Sequence, residues 1–267
     1  MTTQISPSPG RWVDDGWNTT VRMGVVVPHA DVGPENELRA MAPDHLSVHA
    51  GRLHFSAMRA GGEMDPTIPH DPVRAFTEPP HLDNCVEQLA QAPLDVIGCA
   101  FTSSAYKHGP RGEHALAARL AEHARGMPVT TTCLAAEQAI RALGVDRLAL
   151  VNPPWFDEEL SAAGAAYFTA LGVDVVHHGA CGLRSGQPHI TPPALYDWIR
   201  SVAGGASAVF VAGNGMRAVG IISALEDRLG IPVLTANQVL LWHVMELTGT
   251  TVSRPGYGKL MNMYPST

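Results

Sequence analysis

Several classes of protein are excluded by what the sequence lacks. Charged residues make up only 16% of the 267 residues, acidic residues outnumber basic ones by 25 to 18, and no Lys/Arg cluster occurs. The net charge of −7 argues against a nucleic-acid or anionic-membrane partner. No apolar stretch approaches the roughly 18 residues of a membrane span, and the N-terminus lacks the features of a signal peptide. We therefore expect a soluble, cytoplasmic protein.

Cysteine pairs and familiar catalytic motifs are also missing. The four cysteines, none in CxxC spacing, are Cys85, Cys99, Cys133 and Cys181. They are predicted to be reduced and mostly buried. The absence of a Gly-Lys-Ser/Thr P-loop and of a G-x-S-x-G elbow disfavours phosphoryl transfer and the α/β-hydrolase reaction. His177, His178 and His189 do not have the spacing of metal ligands, so we expect no metal site.

What is present is a repeat. Arg22–Pro28 and Arg147–Pro153 share a basic residue, an apolar run and a closing proline, and Leu94–Ser104 corresponds in the same way to Ala208–Gly215. Each half therefore has two apolar strands that end in small, polar or proline-bearing loops. Because ligands bind at the carboxyl ends of strands in open parallel sheets, two such halves predict one pocket at their junction.

The order of strands and helices indicates the fold class. Apolar runs predict strands at 23–27, 47–55, 95–100, 128–132, 147–151, 173–177, 208–212 and 232–235. One helix is predicted to start within residues 35–41. Further helices are predicted at 81–91, 111–124, 134–143, 157–171, 192–202, 218–229 and 238–247. This alternation predicts an α/β fold with two pseudo-symmetric lobes, each a parallel sheet flanked by helices.

Three segments bear on domain organisation. We expect residues 1–20 to form an N-terminal extension, 21–130 with 235–267 the first lobe, and 131–234 the second. Five prolines between Gly61 and Pro80 argue against regular helix and indicate a lid or binding loop. The tail Arg254–Leu260 is predicted to be a loop near the cleft.

Hydroxyl side chains follow the second strand of the first half. Thr102, Ser103 and Ser104 come directly after it and before a helix. Together with free backbone N–H groups they suit a carboxylate or a developing oxyanion. Ser and Thr are also preferred helix N-caps, and that alternative stays open. Three in succession favour an anion site.

The corresponding loop of the second half contains Gly213-Asn214-Gly215. With Ala218 it formally matches the dinucleotide pattern G-x-G-x-x-A, but no acidic residue follows about 20 positions later, as ribose binding requires. We interpret the tight turn as a place where backbone approaches a small ligand, with the Asn214 amide available to it.

Two further loops carry candidates. The loop after the first strand contains Pro28, His29 and Asp31, an acid/base pair unless Asp31 only caps the next helix and His29 is solvated. In the second half Trp155 follows Pro154 and is a candidate pocket wall, although a core or interface Trp is the commoner role.

At these four loops the chain resembles the Asp/Glu racemase superfamily, in its branch of arylmalonate decarboxylases and maleate cis-trans isomerases. The likeness runs from about Arg22 to the end and is carried by segments 25–28, 101–103, 130–132, 139–144, 228–233 and 254–258. The resemblance implies a cofactor-independent enzyme, monomeric or homo-oligomeric, that binds a small carboxylate or carbonyl substrate between its lobes. It also implies that Thr102 and Ser103 form a dioxyanion hole.

The departures from the family pattern bear on the chemistry. Phe101 and Gly213 stand where the superfamily places its cysteines, and Cys99, two residues before Phe101, would lie deeper in the core. Pro154 replaces a tyrosine of the decarboxylases, and Asp31 replaces an asparagine of the isomerases. Loss of both thiols disfavours two-base racemisation and isomerisation through a thiolate adduct. Decarboxylation through an enolate needs only an anion hole, a dry pocket and a proton source.

The sequence therefore predicts a lyase, with an isomerase or racemase using another acid/base pair, or a catalytically silent carboxylate binder, as alternatives. The candidate catalytic residues are Asp31, Thr102, Ser103 and Asn214. The candidate substrate-binding residues are Pro28, His29, Phe101, Ser104, Tyr106, Trp155, Gly213 and Gly215. The candidate proton donors are His29, Asp31, Tyr106 and His108.

Overall fold

The structure is a computed structural model that describes residues 15–264. Most of the expected N-terminal extension, residues 1–20, lies outside this range. Within it the strands are β1 (Val21–Pro28), β2 (Leu46–Leu53), β3 (Val96–Cys99), β4 (Val129–Thr131), β5 (Arg147–Val151), β6 (Asp174–His177), β7 (Ala208–Val211) and β8 (Val233–Thr235). No described helix is long and apolar enough to cross a membrane.

The helices alternate with these strands as the sequence predicts. They are α1 (Gly33–Met41), α2 (His70–Ala75), α3 (His81–Leu89), α4 (Ser103–His123), α5 (Thr132–Ala142), α6 (Glu158–Ala170), α7 (Pro192–Val202), α8 (Ile222–Leu229), α9 (Ala236–Thr248) and α10 (Gly258–Met261). Short 3-10 turns precede α2, α7 and α8.

The two halves form two equivalent parallel sheets. Their strand orders are β2-β1-β3-β4 and β6-β5-β7-β8, so each strand of the first sheet has a counterpart four strands later in the chain. Val26 pairs with Cys99 and Val151 with Val211, which brings the ends of neighbouring strands to one edge of each sheet. The predicted α/β fold with two pseudo-symmetric lobes is confirmed.

Burial explains the unbroken apolar runs in the inner strands. Residues Val25, Val26 and Val27 of β1 are completely buried, as are Leu148 to Val151 of β5. Helices cover both faces of a parallel sheet, so a central strand has no solvent-facing side and does not alternate.

Helix α9 joins the two lobes. It follows β8 of the second sheet and begins with a capping box between Thr235 and Gln238. Its Leu240 packs on Gly98 of β3, in the first sheet, where a Cβ would come within 3.2 Å of Leu240 Cδ1. Helix α9 also packs along α5, its counterpart after β4. Because of this packing, we propose that the residues from 235 onwards belong to the first lobe.

Three helical segments were not predicted. Helix α4 consists of two helical stretches that meet at a kink, where Gly109 has a φ of 67°; the second stretch is the predicted helix 111–124, and the first, from Ser103, is additional. Helix α2 lies in the proline-rich segment expected to be non-helical, and Pro72 is tolerated because the first turn has no intrahelical N–H bond to lose. The tail contains the short helix α10 where a loop was expected.

Candidate active site

Loops at the carboxyl edges of both sheets enclose a small cavity, which we call the inner cavity. Its volume is about 60 Å³, room for only a few water-sized groups. It is lined by Pro28, Asp31, Phe55, Met58, Met64, Ile68, Ala100, Phe101, Thr102, Ser103, Trp155, Phe156, Gly213, Asn214 and Gly215. All four loops singled out in the sequence contribute to this lining.

The first lobe presents a polar wall made by the start of α4. Thr102 occupies the N-cap position of α4, yet its hydroxyl makes no capping hydrogen bond. Ser103 follows as the first helical residue, and the opening N–H groups of a helix have no intrahelical acceptor. The positive end of the helix dipole adds to their potential. This wall can therefore hold an anion.

The second lobe presents the turn Gly213–Gly215. Gly213 has a φ of 84°, and a Cβ there would overlap Pro153 Cγ. A side chain at this position, that of cysteine included, is disfavoured by both the backbone conformation and the neighbouring proline. Backbone therefore forms this wall.

The Asn214 amide does not face the cavity, which corrects one expectation. Its Nδ2 donates to Thr132 Oγ1 at 3.0 Å and to Asn237 Oδ1 at 2.8 Å. Asn237 in turn donates to the Asn214 carbonyl and to Glu37 Oε2. These buried groups bond one another because α5 and α9 meet behind the turn. Asn214 contributes its backbone to the cavity and fixes the turn through its side chain.

Asp31 is the one carboxyl group on the inner cavity among the described residues. Its side chain is 4% exposed, and Oδ1 accepts a 2.7 Å hydrogen bond from Gly33 N–H at the start of α1. Burial raises the pKa of Asp31, while the Gln187 amide, the Gly33 N–H and Arg52 oppose the rise. Asp31 thus contacts the start of α1, and its carboxyl lies on the inner cavity without His29, the residue predicted to pair with it there.

The remaining walls are apolar. Phe101 packs edge-on against Phe76 with ring centroids 5.4 Å apart, and lies opposite Trp155 and Phe156 in the lining. Met64 of the proline-rich segment completes the enclosure. A dry, low-dielectric surrounding strengthens every electrostatic interaction made inside it.

The proline-rich segment spans the two lobes. Ile68 N–H donates to the Trp155 carbonyl at 3.0 Å, and Ser185 Oγ donates to the Pro66 carbonyl at 2.8 Å. His70 Nε2 lies 2.8 Å from Asp157 Oδ2 at the start of α6. The segment therefore covers the inner cavity from the first lobe and is held to the second.

Four sequence candidates lie elsewhere, for identifiable reasons. The His29 ring accepts a hydrogen bond from Phe55 N–H and packs on His54. Burial lowers the pKa of His29 most, and the nearby His54 and Arg52 lower it further. Ser104 Oγ donates to the Val73 carbonyl and holds α2.

Tyr106 and His108 are the other two. Tyr106 packs on Gly164 of α6, and its hydroxyl donates to Asn152 Oδ1 at 3.2 Å. His108 Nε2 lies 2.6 Å from Thr77 Oγ1. Successive side chains of a helix point in directions about 100° apart. The side chains that follow Ser103 in α4 therefore point away from the cavity.

The thiols also lie away from the cavity lining. Cys99, Cys133 and Cys181 are buried, and burial raises the pKa of each, that of Cys181 to about 11. Cys133 Sγ points at the Thr102 carbonyl from behind the loop, at 3.9 Å. Within residues 15–264 no group of three or more His, Cys, Asp or Glu is arranged to hold a metal ion.

Several lining residues were missed in the sequence. Phe55, Met58, Met64 and Ile68 arrive from segments after β2 that carry no catalytic pattern. Gln187 was missed as well. Its Nε2 lies against Gly215, which lines the inner cavity. The proline density of the segment that contains Met64 and Ile68 was the one available signal.

The chain is similar to proteins whose activities are named. The family model described as arylmalonate decarboxylase matches residues 23–261. The maleate isomerase of Geobacillus stearothermophilus is 24% identical over 254 residues, which cover 90% of this chain and 97% of that protein. The arylmalonate decarboxylase of Bordetella bronchiseptica is 28% identical over 181 residues, 66% of this chain and 74% of that protein.

A solved structure shares the fold. A variant of the maleate cis-trans isomerase of Nocardia farcinica, with a covalently bound succinylcysteine intermediate, superposes with a TM-score of 0.80 at 24% identity, covering 92% of this chain and 99% of that one. The family match over residues 23–261 identifies the chain as a member of the arylmalonate decarboxylase family.

Proposed function

We propose that this protein is a cofactor-independent lyase that decarboxylates a small carboxylate through an enolate-type intermediate in the inner cavity. The observation that supports it best is a combination of groups on one apolar enclosure. Thr102 and Ser103 offer hydroxyls and helix-start N–H groups, Asp31 offers a buried carboxyl, and no described lining residue offers a thiol.

Thr102 and Ser103 would bind the carboxylate that the substrate keeps. When the C–C bond to the departing carboxylate breaks, CO₂ leaves and the electron pair stays on the α-carbon. That charge spreads into the remaining carboxylate as an enediolate. Donors already aimed at these oxygens stabilise the developing charge without reorganising.

Asp31 would supply the proton. Burial raises its pKa, which favours the protonated form that a general acid requires. The α-carbon of the enediolate takes the Asp31 proton, and the carboxylate left behind regains one from water. The apolar wall, with Phe101 and Trp155, favours loss of the charged group as neutral CO₂.

A thiol route is disfavoured by the residues at the two cysteine positions. Phe101 carries no nucleophile, and Gly213 has no room for a side chain. An isomerase working through another acid/base pair would need a second such group beside Asp31. The described lining of the inner cavity supplies none.

Because the inner cavity is small, malonate and methylmalonate are the substrates with which to test the proposal, by CO₂ release and by deuterium incorporation at the α-carbon in D₂O. The double variant Thr102→Ala/Ser103→Ala should lose about 100-fold or more in kcat with an unchanged melting temperature. Ser201→Ala, which removes an exposed hydroxyl on α7, is the matched control.

Wild-type turnover in the double variant would contradict the assignment of the anion hole. Deuterium exchange without CO₂ release would contradict decarboxylation and favour the isomerase alternative. Rapid stoichiometric inactivation by iodoacetamide would contradict the thiol-free chemistry.

A further inference from the structure

A second and larger cavity adjoins the inner one. Its volume is about 840 Å³, within the usual range for small-molecule sites, and we call it the outer cavity. It lies between the start of α1 and the turn that leads to α8, and Gly215 lines both cavities. The two cavities therefore meet at Gly215, where the side chains of Gln187 and Asp31 lie between them.

The outer cavity is apolar with one unpaired cation. The outer cavity is lined by Val32, which is 57% exposed, and by Met216 and Val219. The Arg217 guanidinium makes no ion pair or hydrogen bond with another residue in the described part of the chain. Glu37, the other charged side chain of the lining, is already held by the N–H groups of Ala218 and Val219 and by Asn237.

Gln187 marks the passage between the cavities. Its Nε2 lies against Gly215, and a Cβ on Gly215 would overlap this nitrogen. The same Cβ would lie 3.1 Å from Asp31 Oδ2. This Nε2 is buried, and its contact with Asp31 opposes the rise of the Asp31 pKa. A primary amide has two N–H donors, so a ligand oxygen at this point can accept from the one that does not face Asp31.

We propose that the outer cavity is a substrate subsite for a second anionic group, an inference that rests on the proposed function. The retained carboxylate of the substrate lies against Thr102 and Ser103, an apolar substituent on the α-carbon passes Gly215, and a distal acid pairs with Arg217. Gln187 donates to an oxygen of the passing ligand. The substrate class is therefore a malonate whose α-substituent is an apolar spacer that ends in an acid.

Isothermal titration tests this with two series of probes. Straight-chain dicarboxylates from glutarate to azelate are compared with monocarboxylates of equal chain length. The best-fitting dicarboxylate should bind about two- to fivefold tighter than its monocarboxylate, the gain expected from one ion pair with the exposed Arg217. Arg217→Gln should remove this difference. Arg228→Gln, the same charge change at an exposed position of α8 outside the cavity, should leave it intact.

A second variant separates charge from space. Ala40→Phe fills the wall of the outer cavity and should weaken long dicarboxylates while leaving short monocarboxylates unaffected. Equal affinities for the two series, or an undiminished preference in Arg217→Gln, would overturn the subsite. Thr102→Ala/Ser103→Ala should weaken the binding of both series. Unchanged affinities in this double variant would contradict the anion hole and not the subsite.

Discussion

Gly213 and Pro153 are packed so closely that a Cβ on Gly213 would overlap Pro153 Cγ. The contact joins the ends of β7 and β5, the second-lobe strands whose loops reach the inner cavity. It disfavours any side chain on Gly213, a thiol included, and it explains why backbone forms that wall.

Replacing this glycine should therefore be costly for a steric reason. Gly213→Ala and Gly213→Cys should each lower the free energy of unfolding by about 3 kcal/mol or more, from backbone strain and overpacking together. Gly172→Ala is the matched control, since Gly172 also has a positive φ (87°) but no atom within 4 Å of a Cβ. It should lose only about 1–2 kcal/mol.

Urea unfolding of the three variants measures the difference. Equal losses at Gly213 and Gly172 would show that Pro153 adjusts without cost. Gain of iodoacetamide-sensitive turnover in a stable Gly213→Cys variant would contradict the steric account altogether.

Glu37 should make stability depend on pH. Burial raises its pKa from an ordinary 4.5 to about 7, against the opposing hydrogen bonds from Asn237, Val219 and Ala218. The folded state thus binds the proton more tightly than the unfolded state. The stability that Glu37 contributes is full below pH 4.5 and is lost as the pH rises through about 7.

The difference between wild type and Glu37→Gln isolates this contribution. Burial also raises the pKa of Glu113 to about 7, and lowers that of His243 to about 4, and both contributions cancel in the difference. The free energy of unfolding of wild type should fall relative to the variant between pH 4.5 and 7. A difference that stays constant with pH would contradict a shifted Glu37.

Phe101 should limit the size of the inner cavity. Its ring packs against Phe76, and that ring against Phe55, with centroids 5.4 and 5.3 Å apart. Phe101→Ala should cost about 3–5 kcal/mol of stability and enlarge the cavity. We expect KM for bulkier malonates to fall relative to that for small ones.

A useful control is Phe210→Leu, in the core of the second lobe, which should destabilise without changing the order of KM values. If Phe101→Ala is destabilised to the same extent as the control and its substrate order is unchanged, Phe101 does not determine specificity.

The sequence predicts the scaffold because its signals are local. Apolar runs, closing prolines and small-residue turns recur in both halves, so strand ends and the junction of the lobes follow from the repeat. Thr102, Ser103 and Gly213 reach the inner cavity because they directly follow strands, and the ends of parallel strands share an edge.

Side-chain directions depend on packing that no local pattern records. Asn214 turns from the cavity because α5 and α9, distant in sequence, supply Thr132 and Asn237 behind it. Ser104 and Tyr106 turn away because α4 starts before Gly109 and winds them towards α2 and α6. Gln187 meets Asp31 only when the second-lobe loop folds over the first.

The most direct test of the account is the effect of Asp31→Asn on decarboxylation. The asparagine Oδ1 can still accept from Gly33 N–H, so the variant should keep its melting temperature. It cannot donate a carboxylic proton, and kcat for CO₂ release should fall by about 10²- to 10⁴-fold with KM little changed. Wild-type kcat should decrease as the pH rises through the raised pKa of Asp31, and the residual rate of the variant should not. A variant with wild-type kcat and an unchanged pH profile would contradict Asp31 as the proton donor.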